Sequence, residues 1–151
     1  MLRQDFTDSL KTAMKAKDEL TVSTLRLIIA KLKEQDIDAR GKGKADGIGE
    51  AEIQQMLLGM IKQRRDSIAL YEQGKRPELA DKERGEIAII ERFLPKQLDD
   101  AELEAVAKEA IAAIGASGMK DMGRTMAALK ERHAGQMDAA KASQVVKRLL
   151  S

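Results

Sequence analysis

The residue types that usually carry out reactions are scarce in this sequence. It contains no cysteine and a single histidine, His133. A thiolate nucleophile, a disulfide and a sulfur-ligated metal are therefore excluded, and one histidine without a carboxylate pair at ligand spacing does not make the usual zinc site. The serines are scattered, whereas an amidase nucleophile needs a glycine- and serine-rich loop on an α/β scaffold. The sequence thus predicts no catalytic residue, no metal site and no cofactor.

The glycines around Lys42 do not form a phosphate-binding loop. Residues 40–49 read Arg-Gly-Lys-Gly-Lys-Ala-Asp-Gly-Ile-Gly. A P-loop needs Gly-Lys-Ser/Thr after its first glycine and four intervening residues, and a strand before it; neither is present. Basic side chains in such a segment can contact phosphates, but charged runs are more commonly solvated surface. We interpret residues 40–49 as a basic loop between two helices.

One arginine falls on the apolar face of a predicted helix. Arg64 lies between Met60 and Ile68, and Glu83 lies similarly on the next helix. A buried charge needs a partner. We therefore predict a structural pairing of Arg64 with Glu83 or Glu86 across the two helices; the alternative is that Arg64 reaches water along its aliphatic stem.

Composition and periodicity predict an all-α protein. Apolar residues make up 43% of the 151 residues and aromatic residues only 2%, so the core must be aliphatic, which suits helix–helix packing. Apolar residues recur at spacings of three and four, and no alternating strand pattern appears. The predicted helices span, approximately, 2–17, 19–38, 50–73, 77–94, 100–114, 119–133 and 139–150.

The predicted domain boundary lies between Pro95 and Asp99. Proline moves the residue before it out of the helical region, and Asp99 with Glu102 is close to a capping box that starts the next helix. We therefore predict a four-helix N-terminal domain, residues 1–95, and a small three-helix C-terminal domain, residues 99–151.

No stretch of the sequence predicts a membrane span. A span needs roughly 18 apolar residues in a row without charges, and the best candidate, residues 20–30, contains Arg26. The first residues lack the apolar core of a secretory signal, and the absence of cysteine is compatible with a reducing compartment. We expect a cytoplasmic protein with no membrane partner. Its net charge of +2 is too small to indicate nucleic-acid binding by itself.

The last two predicted helices carry six basic residues: Lys120, Arg124, Lys130, Lys141, Lys147 and Arg148. If these helices lie side by side, we expect one positive face that can contact phosphates. Gly123 lies in the sixth helix, where glycine costs about 1 kcal/mol relative to alanine, which predicts a close backbone approach by a neighbouring helix or by RNA. Gly135 is expected to end this helix.

Five segments, taken in order, resemble the GatB/YqeY family. They are Lys-Gln-Arg-Arg-Asp-Ser-Ile at 62–68, Arg-Pro-Glu-Leu-Ala-Asp-Lys-Glu at 76–83, Glu-Ile through Phe-Leu-Pro-Lys-Gln-Leu at 86–98, Asp-Met-Gly-Arg-Thr-Met at 121–126 and Val-Val-Lys-Arg-Leu at 145–149. The resemblance covers essentially the whole chain. Free-standing members of this family are related to the C-terminal region of GatB, the tRNA-binding subunit of the glutamine-dependent aspartyl/glutamyl-tRNA amidotransferase.

The resemblance implies an all-helical protein whose small C-terminal domain is similar to a tail that holds the outer corner of tRNA. Carried over to this chain, the six basic residues become candidate phosphate contacts, and Asp121 and Gly123 are expected to set the turn into the sixth helix. The tRNA-binding subunit of the amidotransferase keeps its ATP-using centre in a separate domain, for which this chain has no room.

The resemblance therefore implies a non-catalytic tRNA-binding or tRNA-associated accessory protein. One alternative is a helical protein-interaction module that docks a partner through its helices or through a stripe of Met119, Met122 and Met126. The other is an accessory component of a carbon–nitrogen ligase with glutamine as amide donor.

Overall fold

The structure is a computed structural model that describes residues 1–151, and it confirms the all-helical class. It contains no strand. Seven α-helices and one turn of 3₁₀-helix, at Met119–Asp121, follow one another along the chain: α1 (Leu2–Lys15), α2 (Glu19–Gly41), α3 (Glu50–Gln73), α4 (Pro77–Glu91), α5 (Asp100–Ile114), α6 (Met122–Arg132) and α7 (Ala139–Leu150).

The chain divides into two compact units, Met1–Leu94 and Pro95–Ser151. Each unit has its own aliphatic core. The fully buried side chains of the first core include Phe6, Leu25, Ile28, Ile53, Leu57, Ile61 and Ile90. The core of the second unit consists of Leu103, Ala107, Ala110, Leu129, Met137, Ala142, Val146 and Leu150.

The first unit consists of two helix pairs, α1 with α2 and α3 with α4, and α2 also packs on α4. Short connections join the helices within each pair, which makes them antiparallel neighbours. The two phenylalanines of the sequence meet here, since the rings of Phe6 and Phe93 lie edge to face with centroids 5.0 Å apart. Such a pair adds about 0.5–1.5 kcal/mol beyond the area it buries.

A glycine permits the contact of α2 with α4. A Cβ atom on Gly85 would come within 2.8 Å of the Leu20 Cδ2 atom. The absence of a side chain at Gly85 therefore gives Leu20 its place against α4. No sequence pattern predicted such a role for this residue.

Three helix boundaries differ from the prediction by three residues, and the other boundaries differ by two residues or fewer. Helix α2 continues past residue 38 to Gly41, because Ala39 is buried on the core face and keeps the last turn helical. Helix α4 ends at Glu91, three residues earlier than predicted, in the turns that lead to Pro95. The sixth helix starts with the 3₁₀ turn and is regular only from Met122.

The loop after α2 is anchored by a buried carboxylate. Asp36 accepts two hydrogen bonds from the Arg3 guanidinium, at 2.5 and 2.7 Å, and one from the Ile48 backbone N–H at 2.9 Å. Arg3 also donates to the Ile48 carbonyl at 2.7 Å. These bonds hold the end of the loop, where Ile48 is buried, against α1 and α2.

The second unit is a bundle in which α5, α6 and α7 all touch one another. Aspartates begin two of these helices. Asp99 accepts a hydrogen bond from the Glu102 N–H at 2.7 Å, and Asp138 accepts one from the Ala140 N–H at 3.1 Å. No helix of either unit is both long enough and apolar enough to cross a membrane.

Candidate nucleic-acid interface

Three of the six basic residues predicted to contact phosphates are exposed and make no ion pair. Lys120 lies in the 3₁₀ turn, Lys130 in the last turns of α6 and Lys147 in the last turn of α7. Their ammonium groups have no carboxylate within ion-pair distance. An incoming phosphate would meet these three lysines without competition, and it would meet Arg132 at the end of α6 in the same way, because Arg132 is also exposed and makes no ion pair.

The other three basic residues already contact protein groups. Arg124 donates to the Ile114 carbonyl at 2.9 Å and lies 3.7 Å from the Asp121 carboxylate. Two further ion pairs link α7 to α5, Lys141 with Asp100 and Arg148 with Glu104, both at 3.5 Å. These pairs are exposed and individually weak, so they lower the local positive charge more than they add stability.

The six basic residues do not form one uniform positive face. Lys141 and Arg148 are seven residues apart and share the side of α7 that meets acidic residues of α5. Lys147 is one residue, or about 100°, away from Arg148 around the helix. For the three unpaired lysines, a shared positive face stays a prediction.

Gly123 has open space around it, and the predicted close approach by a neighbouring helix is wrong. No atom lies within 4 Å of a Cβ placed on this residue, which is exposed in the first turn of α6. A close approach of a neighbouring helix to a glycine does occur in the first unit, where α2 meets α4 at Gly85. The other expectation, an approach by RNA, stays a prediction.

Asp121 shapes the turn into α6. Its carboxylate accepts a hydrogen bond from the Ser117 N–H at 3.0 Å, and its carbonyl accepts one from the Thr125 hydroxyl at 2.9 Å. The side chain therefore closes the Ser117–Asp121 turn, which agrees with the structural role expected for it.

Gly135 follows the end of α6 in a left-handed conformation, with φ of +74°. Because a left-handed backbone favours glycine, the sequence reveals this position. The buried Gly135 carbonyl also accepts a hydrogen bond from the Gln97 side chain at 2.7 Å. Next to it, His133 caps α6 and contacts the Gln136 side chain at 3.2 Å.

Hydrogen bonds of two glutamines, Gln97 and Gln136, connect the start of the second unit to the turn after α6. No sequence pattern predicted a role for these residues. The Gln136 side chain donates to the Lys96 carbonyl at 3.1 Å, and the Leu98 N–H donates to the Gln136 carbonyl at 2.8 Å. Gln97 completes the connection through Gly135. The only sequence signal was that Gln97 lies in the quoted Phe-Leu-Pro-Lys-Gln-Leu segment.

The methionines near α6 do not form an exposed stripe. Met122 and Met126 are half-buried and pack against the core of the second unit, while Met119 is 45% exposed. Core packing therefore accounts for two of the three methionines, as is common for this adaptable side chain.

Arg64 pairs with Glu86, one of the two partners predicted for it. The Arg64 Nε atom lies 2.7 Å from a Glu86 carboxylate oxygen and 4.0 Å from Glu83, and Nη1 donates to the Met60 carbonyl at 3.2 Å. These residues lie in the first unit and join α3 to α4. Their geometry assigns them to the scaffold.

The pKa of one carboxyl in the second unit is shifted, and the shift has a structural cause. The Glu102 N–H donates to Asp99 at the start of α5 and thereby holds the pKa of the Asp99 carboxyl below its usual value. This aspartate is a helix cap that stays ionised.

Seven helices in two compact units, the second a small bundle with unpaired lysines, place the chain in the class of all-helical proteins. Comparison with known families is more specific. Residues 3–150 match the profile of the Yqey-like protein family, YqeY, so the chain belongs to this family.

Proteins from several yeasts are similar to the chain, and each carries the name "Altered inheritance of mitochondria protein 41, mitochondrial". The Kluyveromyces lactis protein is 37% identical over 92 residues, 61% of this chain and 45% of the relative. The Lachancea thermotolerans protein is 35% identical over 99 residues, 66% and 51% of the two chains. The Saccharomyces cerevisiae protein is 36% identical over 95 residues, 63% and 49%. The chain thus spans about half the length of these relatives, whose name places them in mitochondria.

Proposed function

We propose that this protein is a non-catalytic accessory factor that binds tRNA through its second unit. The observation that carries the proposal is the set of three exposed, unpaired lysines: Lys120, Lys130 and Lys147. Lysine side chains of this kind bind phosphate as point charges. The resemblance of this unit to the tail of the tRNA-binding amidotransferase subunit supports tRNA as the nucleic acid, and the unit would then act as the corresponding domain in this chain.

The composition of the second unit favours contacts with the RNA backbone over contacts with bases. All three aromatic residues of the chain, Phe6, Tyr71 and Phe93, lie in the first unit. Recognition of single-stranded bases relies on aromatic stacking. The second unit would therefore recognise the shape and the phosphates of a folded RNA.

Salt dependence provides a direct test of this proposal. Filter binding with bulk tRNA, measured over a series of salt concentrations, gives the number of phosphate contacts, because each contact contributes about 0.7–0.9 to the slope of log K against log salt. Replacing the three unpaired lysines by glutamine is expected to lower this slope by about 2 to 3.

A matched control removes the same charge from the first unit. Lys11, Lys33 and Lys82 are also exposed and also lack ion pairs. Replacing these three residues by glutamine should leave the slope near that of the unmodified protein. The proposal would be rejected if the protein bound no tRNA at low salt. It would also be rejected if the two triple variants reduced the slope of log K against log salt equally.

A component of a carbon–nitrogen ligase is the second candidate, favoured by the same resemblance. The purified chain, supplied with ATP, glutamine and misacylated Glu-tRNA or Asp-tRNA, should transfer no amide under the accessory proposal. Amide transfer would replace that proposal by the ligase alternative.

We place the accessory function in the cytoplasm, and fractionation of the source cells is the measurement that decides its compartment.

A further inference from the structure

Helix α2 presents a second, exposed face in addition to the one that it buries. Five exposed residues recur along it at spacings of four and three: Ser23, Leu27, Ala30, Glu34 and Ile37. Leu27 is 49% exposed and Ile37 is 67% exposed. The face is about 21 Å long at 1.5 Å per residue. It is therefore long enough to pair with a helix of four turns.

A groove of about 740 Å³ lies at the first half of this face, beside the end of α1. Its apolar lining comes from Met14, Val22 and Leu27. Met14 is 51% exposed although it belongs to a packed helix pair. Methionine is flexible and polarisable, so it adapts well to a docked surface.

Two unpaired cations flank this apolar lining. Lys17 and Arg26 both line the groove, both are exposed and neither makes an ion pair. Glu19 is the only carboxylate in the lining. The rim of the groove therefore carries an excess of positive charge that the protein itself does not neutralise.

The turn between α1 and α2 fixes one of these cations in place. Lys17 has a left-handed backbone, with φ of 57°, a conformation that costs a residue with a side chain roughly 1–2 kcal/mol. The turn is closed by hydrogen bonds from the Lys17 N–H to the Met14 carbonyl at 3.2 Å and from the Asp18 N–H to the Ala13 carbonyl at 3.0 Å. A glycine would meet the backbone requirement without strain, whereas lysine adds a charge at the rim.

We propose that this groove docks an amphipathic helix of another protein that carries acidic residues beside its apolar stripe. An apolar lining between cations complements such a helix in both hydrophobicity and charge. A second copy of this chain, related by two-fold symmetry, would bring two sets of Lys17 and Arg26 into the same interface, which is repulsive. RNA would find no aromatic platform among the lining residues. This inference is independent of the proposal on tRNA, which concerns the second unit.

A designed peptide provides the probe. It is about 18 residues long, enough for an amphipathic helix, with leucines along one face and glutamates on either side. A second peptide has the same leucines and lysines in place of the glutamates. The methyl groups of Met14 and Met119 serve as NMR reporters, since both side chains are exposed and only Met14 lines the groove.

The acidic peptide is expected to shift the Met14 methyl signal in a saturable manner and to leave Met119 unchanged. The Leu27→Glu variant should abolish the shift. Leu70→Glu, a matched change at a leucine that is 66% exposed on α3, should preserve it. Arg26→Glu should weaken binding about tenfold, as expected for a charge that faces the partner. Circular dichroism verifies that each variant is folded.

Four outcomes would overturn the proposal. One is equal or tighter binding of the lysine peptide, and another is the absence of any Met14 shift at millimolar acidic peptide. The third is a dimer in sedimentation experiments that Leu27→Glu dissociates, because it would assign the groove to a second copy of the chain. A Met14 shift caused by tRNA alone would assign the groove to RNA and equally reject a protein helix.

Discussion

Arg64 of α3 and Glu86 of α4 form an ion pair whose side chains are only 11% and 10% exposed, with 2.7 Å between Arg64 Nε and the nearer carboxylate oxygen. The Met60 carbonyl accepts a further hydrogen bond from the guanidinium, and Glu83 lies at 4.0 Å. The buried charge is thus surrounded by acceptors. The pair fixes how two helices of the first unit pack against each other.

Removing one member of this pair should destabilise the first unit strongly. Glu86→Gln leaves the buried guanidinium with only the more distant Glu83 carboxylate, at 4.0 Å, as a counter-charge. A buried pair that loses one partner typically costs about 3–5 kcal/mol, and Glu83 should keep the loss toward the lower end of this range. The free energy of unfolding in urea measures the loss. The double variant Arg64→Met/Glu86→Leu should recover most of it, because an apolar pair of similar volume avoids the desolvation of both charges.

Arg65 provides the control on the same helix. It lies 3.6 Å from Glu91, and both side chains are exposed. Arg65→Ala should therefore cost less than about 1 kcal/mol. If Glu86→Gln were no more destabilising than Arg65→Ala, the pair of Arg64 with Glu86 would have no special structural role.

Asp36 should make the stability of the first unit depend on pH in acid. The hydrogen bonds from Arg3 and from the Ile48 N–H lower the pKa of the Asp36 carboxyl from 3.8 to about 2. Because the pKa is lower in the folded state, this stabilisation is fully present above about pH 4, decreases as the pH falls further and is lost below about pH 2. At neutral pH, Asp36→Asn should cost about 1.5–3 kcal/mol, the usual value of a hydrogen bond to a charged group.

The pH profile separates this effect from general acid unfolding. The difference in unfolding free energy between the unmodified protein and Asp36→Asn should be constant above pH 4 and shrink as the pH falls toward 2. Asp38→Asn is the control, because Asp38 is exposed and pairs only with exposed Lys42. A difference that did not change with pH would show that the ionisation of Asp36 contributes nothing.

Two mid-helix glycines should respond differently to alanine. No atom lies within 4 Å of a Cβ placed on Gly59 of α3, so Gly59→Ala should gain the full difference in helix propensity, about 1 kcal/mol. At Gly85 the new methyl group would meet the Leu20 side chain at 2.8 Å. The displacement of that side chain should reduce the gain at Gly85. Thermal unfolding of both variants measures the difference, and equal gains would contradict the close contact of α2 with α4.

Sequence patterns predicted the helices because their signals are local. Periodic apolar residues, Asp99, Pro95 and Gly135 each act within one or two turns of their own position. The bond network of Arg3, Asp36 and Ile48 was not predictable in this way, since it links residues up to 45 positions apart. An aspartate inside a helix is usually exposed, so nothing in the sequence marked Asp36 as buried.

The candidate interface was predictable in composition but not in geometry. The sequence identified which residues of the second unit are basic. It did not identify which of them meet acidic residues of α5, because the pairs of Lys141 and Arg148 depend on how α5 and α7 lie side by side. For the same reason the sequence marked Gly123 as a packing position, whereas only the packed helices reveal that Gly85 has this role.

Gly123 offers the most specific test of how RNA approaches the second unit. The space around this exposed residue is open, so Gly123→Leu should leave the melting temperature of the protein nearly unchanged. If the RNA backbone comes close to the first turn of α6, the added side chain should weaken tRNA binding about tenfold, because glycine is the residue that permits such close approach. Gly59→Leu is the matched control at an equally open glycine in the first unit, and it should leave tRNA affinity unchanged. Unaltered tRNA binding by Gly123→Leu would place the RNA elsewhere on the protein.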